Sequence, residues 1–171
     1  MQFLTTKQAQ DWCIACNIEL DAFMVPKREA AKGHSVRVTL PHDYTRLLWV
    51  ARLIEGSLKP RDRCLFWVTK TEVWPSSENW HLYYRIRQSY GDYRSMEDAP
   101  GHMFLNYEDF DLITFVEIGI VAGWDIHLLP LNGYGRIFVC HDGWVQFTLE
   151  SPQALAEITS EFLKIGSSIV T

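Results

Sequence analysis

Between Tyr107 and Ala122 the chain is apolar on almost every side: Phe110, Leu112, Ile113, Phe115, Val116, Ile118, Ile120 and Val121 fall all around a helical wheel. A helix of that kind cannot lie on a surface with one face in water. It has to be central, and the rest of the chain has to surround it. Gly119 lets a neighbouring element approach it closely, and Gly123 suits its C-terminal stop. Thr114 and Glu117 interrupt the apolar run, which is too short to span a bilayer, so no membrane partner is expected.

The remaining segments supply the surround. A first helix is predicted from about Thr6 to Asn17, capped by Thr5 or Thr6, with Ala9, Trp12, Cys13, Cys16 and Leu20 on its apolar stripe. Residues 35–41 alternate Val36, Val38 and Leu40 inward with Arg37 and Thr39 outward, a half-exposed strand stopped by Pro41. Asp43 to Glu55 reads as a helix ending near Gly56. The run Cys64-Leu65-Phe66-Trp67-Val68 is continuously apolar, as a central strand buried on both faces would be. Strand, helix and strand in that order suggest one βαβ-like unit.

A helix capped by Ser76 or Ser77 runs to about Tyr90. After the apolar helix comes an antiparallel meander with turns at Asn132-Gly133 and Asp142-Gly143. Its last strand sends Val145, Phe147 and Leu149 inward, and Ser151-Pro152 opens a final helix. The expected class is α+β: a mixed sheet of about five strands packed by helices, in a single globular domain over residues 1–171. That length buries roughly 70% of the unfolded surface, enough for a core without staples.

Two cysteines, Cys13 and Cys16, form a Cys-x-x-Cys inside the first helix. Thioredoxin-type chemistry needs that motif at a helix N-terminus after a buried strand, where free N–H groups stabilise the thiolate. Here it lies about two turns in, with Ile-Ala between the cysteines. Cys64 and Cys140 are isolated, and no second ligand pair appears at zinc-finger spacing. All four read as core cysteines, with no metal and no cofactor expected. The start, MQFLTTKQAQDW, has neither a basic n-region nor an apolar h-region, so a soluble cytoplasmic protein with free thiols is expected.

No nucleophile elbow, P-loop or dinucleotide fingerprint is present. Asp111 and Glu117 point about 120° apart on a helix and make no catalytic carboxylate pair. Two His-Asp pairs, His42-Asp43 and His141-Asp142, each follow a strand. If those strands ran parallel, His42, His141 and Asp142 would share one end of the sheet and, with His102 or His127, form a small metal-assisted hydrolase. The competing reading makes Asp43 a helix cap and Asp142 a hairpin residue.

The binding reading rests on residues 72–104, which are rich in rings and arginines. Leu82, Tyr83, Ile86 and Tyr90 suffice for the buried face of the helix. That places Trp80, Tyr84 and Arg87 on an outer row, with His81 and Arg85 beside it, and Tyr93 and Arg94 just beyond. Large rings beside arginine are what interface hot spots use. Trp80, Tyr84, Arg85, Arg87, Tyr93 and Arg94 are therefore the candidate binding residues.

The net charge of −5 hides an asymmetry: residues 1–94 carry 14 basic and 10 acidic side chains, residues 95–171 carry 2 and 11. An acidic half of this kind suits a basic partner and disfavours general nucleic-acid binding, which needs a basic stripe. In composition the chain resembles bacterial immunity proteins, small acidic domains that cap basic toxins. That resemblance, carried by no motif, implies a non-enzymatic inhibitor that binds a basic protein.

Overall fold

The computed structural model describes residues 1–28, 33–41, 43–71, 77–131 and 135–170, with backbone alone for residues 44 and 77–80. His42, Trp74, Ser76, the Asn132-Gly133 turn and the side chains of Ser77 and Trp80 lie outside that description.

The chain runs β1 (Gln2–Leu4), α1 (Thr6–Ala15), β2 (His34–Thr39), a 3₁₀ turn (Tyr44–Arg46), α2 (Leu47–Ser57), β3 (Arg63–Lys70) and α3 (Ser77–Ser89). It continues through β4 (Gly101–Leu105), α4 (Asp109–Val121), β5 (Asp125–Leu131), β6 (Gly135–Cys140), β7 (Trp144–Leu149) and α5 (Pro152–Lys164). The strands form one seven-stranded sheet in the order β1-β4-β3-β5-β6-β7-β2. The α+β class stands, with seven strands where about five were expected and every pairing antiparallel. β2 and β3 run the same way around α2, but β5, β6 and β7 lie between them. None of the described helices is long and apolar enough to cross a membrane.

The period of two along each strand divides the apolar residues between two layers. Cys64, Phe66 and Val68 of β3 face a large core shared with α2, α3, α4 and α5, whereas Leu65 and Trp67 face a smaller one with Ala9 and Cys13 of α1. β3 is therefore buried on both faces, as its unbroken apolar run requires. α4 is the hub of the large core, with Leu112, Phe115, Val116 and Gly119 buried, but it is not surrounded as expected, because Phe110 and Val121 are exposed. A Cβ on Gly119 would lie 2.3 Å from Ile126 Cδ1, so the glycine is what lets β5 pack this closely. Gly123, at φ +67°, ends the helix.

Helix ends follow their signals. Thr5 forms a capping box with Gln8 on α1, and Ser151 accepts from Ala154 N at 3.2 Å with Pro152 at the first position of α5. Asp43 instead holds the 3₁₀ turn, accepting from Thr45 N and Oγ1 at 2.9 and 2.7 Å, so α2 starts later, at Leu47. The β2 edge is covered by residues 168–170, through Thr39 N to Ser168 O and Val170 N to Arg37 O at 2.8 and 2.9 Å.

α3 buries the expected face only in part: Tyr83 is buried and Ile86 packs on the core as expected, but the face is turned toward Arg87. Leu82 and Tyr90 are exposed, while Tyr83 and Arg87 are fully buried. Arg87, predicted on an exposed outer row, donates to the Tyr83 hydroxyl, to Ala99 O at 3.2 Å and to Asp92 Oδ1 at 2.9 Å. Its guanidinium also lies 4.5 Å over the Phe3 ring. A guanidinium with that many partners can leave water, which is why this face turned inward. The Tyr83 hydroxyl lies 2.8 Å from His102 Nε2, and burial, then the Arg87 charge, pushes the His102 pKa down to about 3.

Candidate functional site

Sheet register sets a row of side chains across the face opposite the large core: Trp67, His127, Phe138, Gln146 and Arg37 lie opposite one another on β3, β5, β6, β7 and β2. Trp67 is covered by the α1 layer. Further along, the row is roofed by the segment after α1. There Asp21 Oδ1 accepts from Phe23 N and Val25 N at 2.8 and 3.2 Å, and Leu20 bridges Pro26, making a small hairpin. Leu20 and Val25 anchor that hairpin on the second core, and Phe23 at its tip is 85% exposed.

Between hairpin and sheet lies a cleft of about 650 Å³ lined by Lys27, Arg28, Arg37, Lys70, Asp21, Asp125, His127, Phe138 and others. Its arginines lie over rings: the Arg28 guanidinium is 4.4 Å from the centroid of Phe138, and that of Arg37 5.0 Å from the centroid of Trp144. Arg37 Nε donates to Gln146 Oε1 at 2.8 Å, and Gln146 Nε2 donates to Arg28 O at 3.3 Å, which ties the two arginines to one buried amide. Burial, followed by the Arg28 charge, pushes the His127 pKa down to about 3, so the cleft floor is a neutral imidazole.

At one end of the cleft, Asp125 at the start of β5 meets the turn after β6. Its Oδ1 accepts from His141 N at 3.0 Å and from His141 Nδ1 at 2.7 Å. His141 Nε2 is 3.0 Å from Lys70 Nζ. An ammonium can only donate, so Nε2 accepts and Nδ1 carries the proton. Despite burial, which raises it, the Asp125 pKa is net lowered by the hydrogen bonds and charge of His141 and by Arg28, 3.7 Å away. Cys140 Sγ lies 3.9 Å from His141 Nδ1 and 3.6 Å from Asp142 Oδ2, and burial pushes its thiol up to about 11.

Of the proposed catalytic set, His141 and Asp142 sit side by side in the turn after β6. The strands ending at Thr39 and Cys140 do run the same way, with β7 between them, but His42 lies outside the described residues. His102 is on the opposite face, in the Tyr83–Arg87 network. His141 has an orienting carboxylate on one nitrogen and an ammonium on the other. The nearest thiol is protonated and sits on the wrong side of the ring for activation.

The expected binding residues disperse. Arg87 is fully buried, and the half-buried Tyr84 uses its hydroxyl to accept from Met96 N at 3.2 Å. Arg85 and Tyr93 are exposed, while Arg94 is exposed yet held by Asp92 and by Phe3 O at 3.0 Å. Sequence reasoning missed Arg28, Phe138, Trp144 and Asp125. The available signal was the outward row of β2, β6 and β7, which holds Arg37, Phe138, Trp144 and Gln146 where solvated strands would carry smaller polar side chains.

A second exposed feature lies at the start of α4. Tyr107 and Phe110 are 76% and 78% exposed, within one turn of Asp111. Burial, and then a hydrogen bond with Asp111, push the Tyr90 hydroxyl up to about 12, so the end of α3 meets the same spot. No protein-family model, curated protein or solved structure matches the chain.

Proposed function

We propose that the chain is a non-enzymatic binding protein that takes an acidic segment of a partner protein into the cleft beneath the hairpin of residues 19–27. The observation that carries this is the lining: Lys27, Arg28, Arg37 and Lys70 stand against Asp21 and Asp125, and Asp125 is already engaged by His141 and Arg28. Guanidinium groups held over Phe138 and Trp144 lose little side-chain freedom on meeting a carboxylate, and their planar forks match it. A short cationic cleft on a chain of net charge −5 suits a few carboxylates better than the long phosphate track of a nucleic acid.

The acidic excess after residue 95 is partly consumed inside the fold. Glu108 pairs with the Met1 amine, Asp109 with Lys59 and Arg61, and Asp125 with Arg28. A basic partner, as an immunity-type inhibitor would have, is the second reading. The exposed Tyr107 and Phe110 beside Asp111 favour it.

The test is a titration of a short oligo-aspartate peptide, followed by the indole N–H resonance of Trp144. A saturable shift in the wild type that is lost in Arg28→Ala and Arg37→Ala is expected. No shift, or one retained in both variants, would overturn the reading.

A further inference from the structure

We propose that Asp125, Cys140 and His141 form a binding site for one divalent transition-metal ion, zinc by preference. Their candidate ligand atoms all lie within 4.8 Å of one another. A tetrahedral ion with metal–ligand distances of about 2.0–2.3 Å holds its ligand atoms roughly 3.3–3.6 Å apart. The distances from His141 Nδ1 bracket that range, at 2.7 Å to Asp125 Oδ1 and 3.9 Å to Cys140 Sγ. With the Asp125–Cys140 separation inside the same 4.8 Å limit, shifts of no more than about an ångström convert the hydrogen-bonded cluster into a coordination shell. A thiolate, an imidazole and a carboxylate are the donor set that borderline-soft ions such as zinc take. The isolation of Cys140 in the sequence argued against any metal, but the missing donor comes from across the sheet. Asp125 lies one residue before the pair Ile126↔Val139, which sets it beside Cys140.

The local charges accommodate the ion. A divalent cation with one carboxylate and one thiolate has no net charge, so Arg28 and Lys70 nearby are tolerated. On binding, the Cys140 thiol proton leaves to solvent and the His141 proton moves from Nδ1 to Nε2. Nε2 then becomes a donor, so the exposed Lys70 ammonium has to swing away from it and Asp142 Oδ1, 3.4 Å away, is the carboxylate to accept its hydrogen bond. A carboxylate behind the ligating histidine is the usual second layer of such sites. Three protein ligands leave a fourth position for water. This inference does not depend on what occupies the cleft.

The test uses the whole chain, freed of metal by chelator and titrated with cobalt(II). A thiolate-to-cobalt charge-transfer band saturating at one equivalent is expected, and it should be displaced by zinc. Cys140→Ser should abolish the band, His141→Gln should weaken binding at least ~10-fold, and Cys16→Ser should change nothing. X-ray absorption of zinc-loaded Cys16→Ser protein should show one sulfur in the shell, a readout that stands even if Cys140→Ser does not fold. Absence of the band at saturating cobalt, its survival in a folded Cys140→Ser protein, or a zinc shell without sulfur would overturn the proposal.

Discussion

Arg87→Met tests the inward turn of α3 directly. The substitution keeps an unbranched apolar stem of similar length but removes the guanidinium. Three acceptors then lose a donor: the Tyr83 hydroxyl, Ala99 O and Asp92 Oδ1. The Phe3 ring also loses the cation above it. Removing one partner of a buried charge pair costs about 3–5 kcal/mol, because the other charge is left uncompensated. Arg94 still bonds Asp92 at 2.9 Å, which favours the lower end of that range. For a chain of this size each kcal/mol moves the melting temperature by about 2–4 °C, so a drop of roughly 6–20 °C is expected in a calorimetric or circular-dichroism melt. Adding Asp92→Asn to Arg87→Met should recover part of the loss, because the stranded charge goes with it. A melting temperature within about 2 °C of wild type for Arg87→Met would refute the reasoning. It would mean that the guanidinium is solvated and that α3 presents the outer row its sequence suggests.

Two further outcomes follow from the same core. Burial raises the Asp92 pKa, but the hydrogen bonds from Arg94 and Arg87 outweigh it and hold the carboxyl at about 2. A depressed folded-state pKa contributes stability that is complete above about 4 and lost as pH falls toward 2. The stability gap between wild type and Asp92→Asn should therefore shrink by about 2 kcal/mol over that window, and a pH-independent gap would contradict the pairing. Gly119→Ala should destabilise by about 1–3 kcal/mol through overpacking, because the new methyl meets Ile126 Cδ1 at 2.3 Å; an unchanged denaturant midpoint would contradict that packing.

Local signals told truly where the physics was local. The Thr5 and Ser151 caps, the unbroken run of β3 and the inward Val145, Phe147 and Leu149 of β7 each depend on neighbours a few residues away, and each is found in place, although Gln146 and Thr148 on the other face of β7 are buried too. β1 and β4 carried no such mark: one is three residues long, the other begins Gly101-His102, and β1 is a strand because β4 pairs with it, β4 because β1 and β3 flank it. The face of α3 was ambiguous for a similar reason. Leu82, Tyr83, Ile86 and Tyr90 make as good a stripe as Tyr83, Ile86 and Arg87, and the choice falls to Asp92, Ala99 and Phe3, none of them on the helix. At the cleft, His141 and Asp142 stood out in the sequence as a turn. Asp125 and Arg28 did not, because only the β5–β6 register and the hairpin after α1 bring them there.

The strand order has a consequence for how the molecule is made. Phe3 lies against His102 and Val36 against Phe147, so both outer strands are joined to the sheet by pairings that span more than half of the chain. Loop closure on that scale is slow compared with the β5-β6-β7 meander, whose pairings are short-range. During synthesis, β2 leaves the ribosome with its alternating apolar face and has no partner until residues 144–149 have followed. In that interval it is an unpaired edge, the kind of segment that chaperones hold and that neighbouring nascent chains capture.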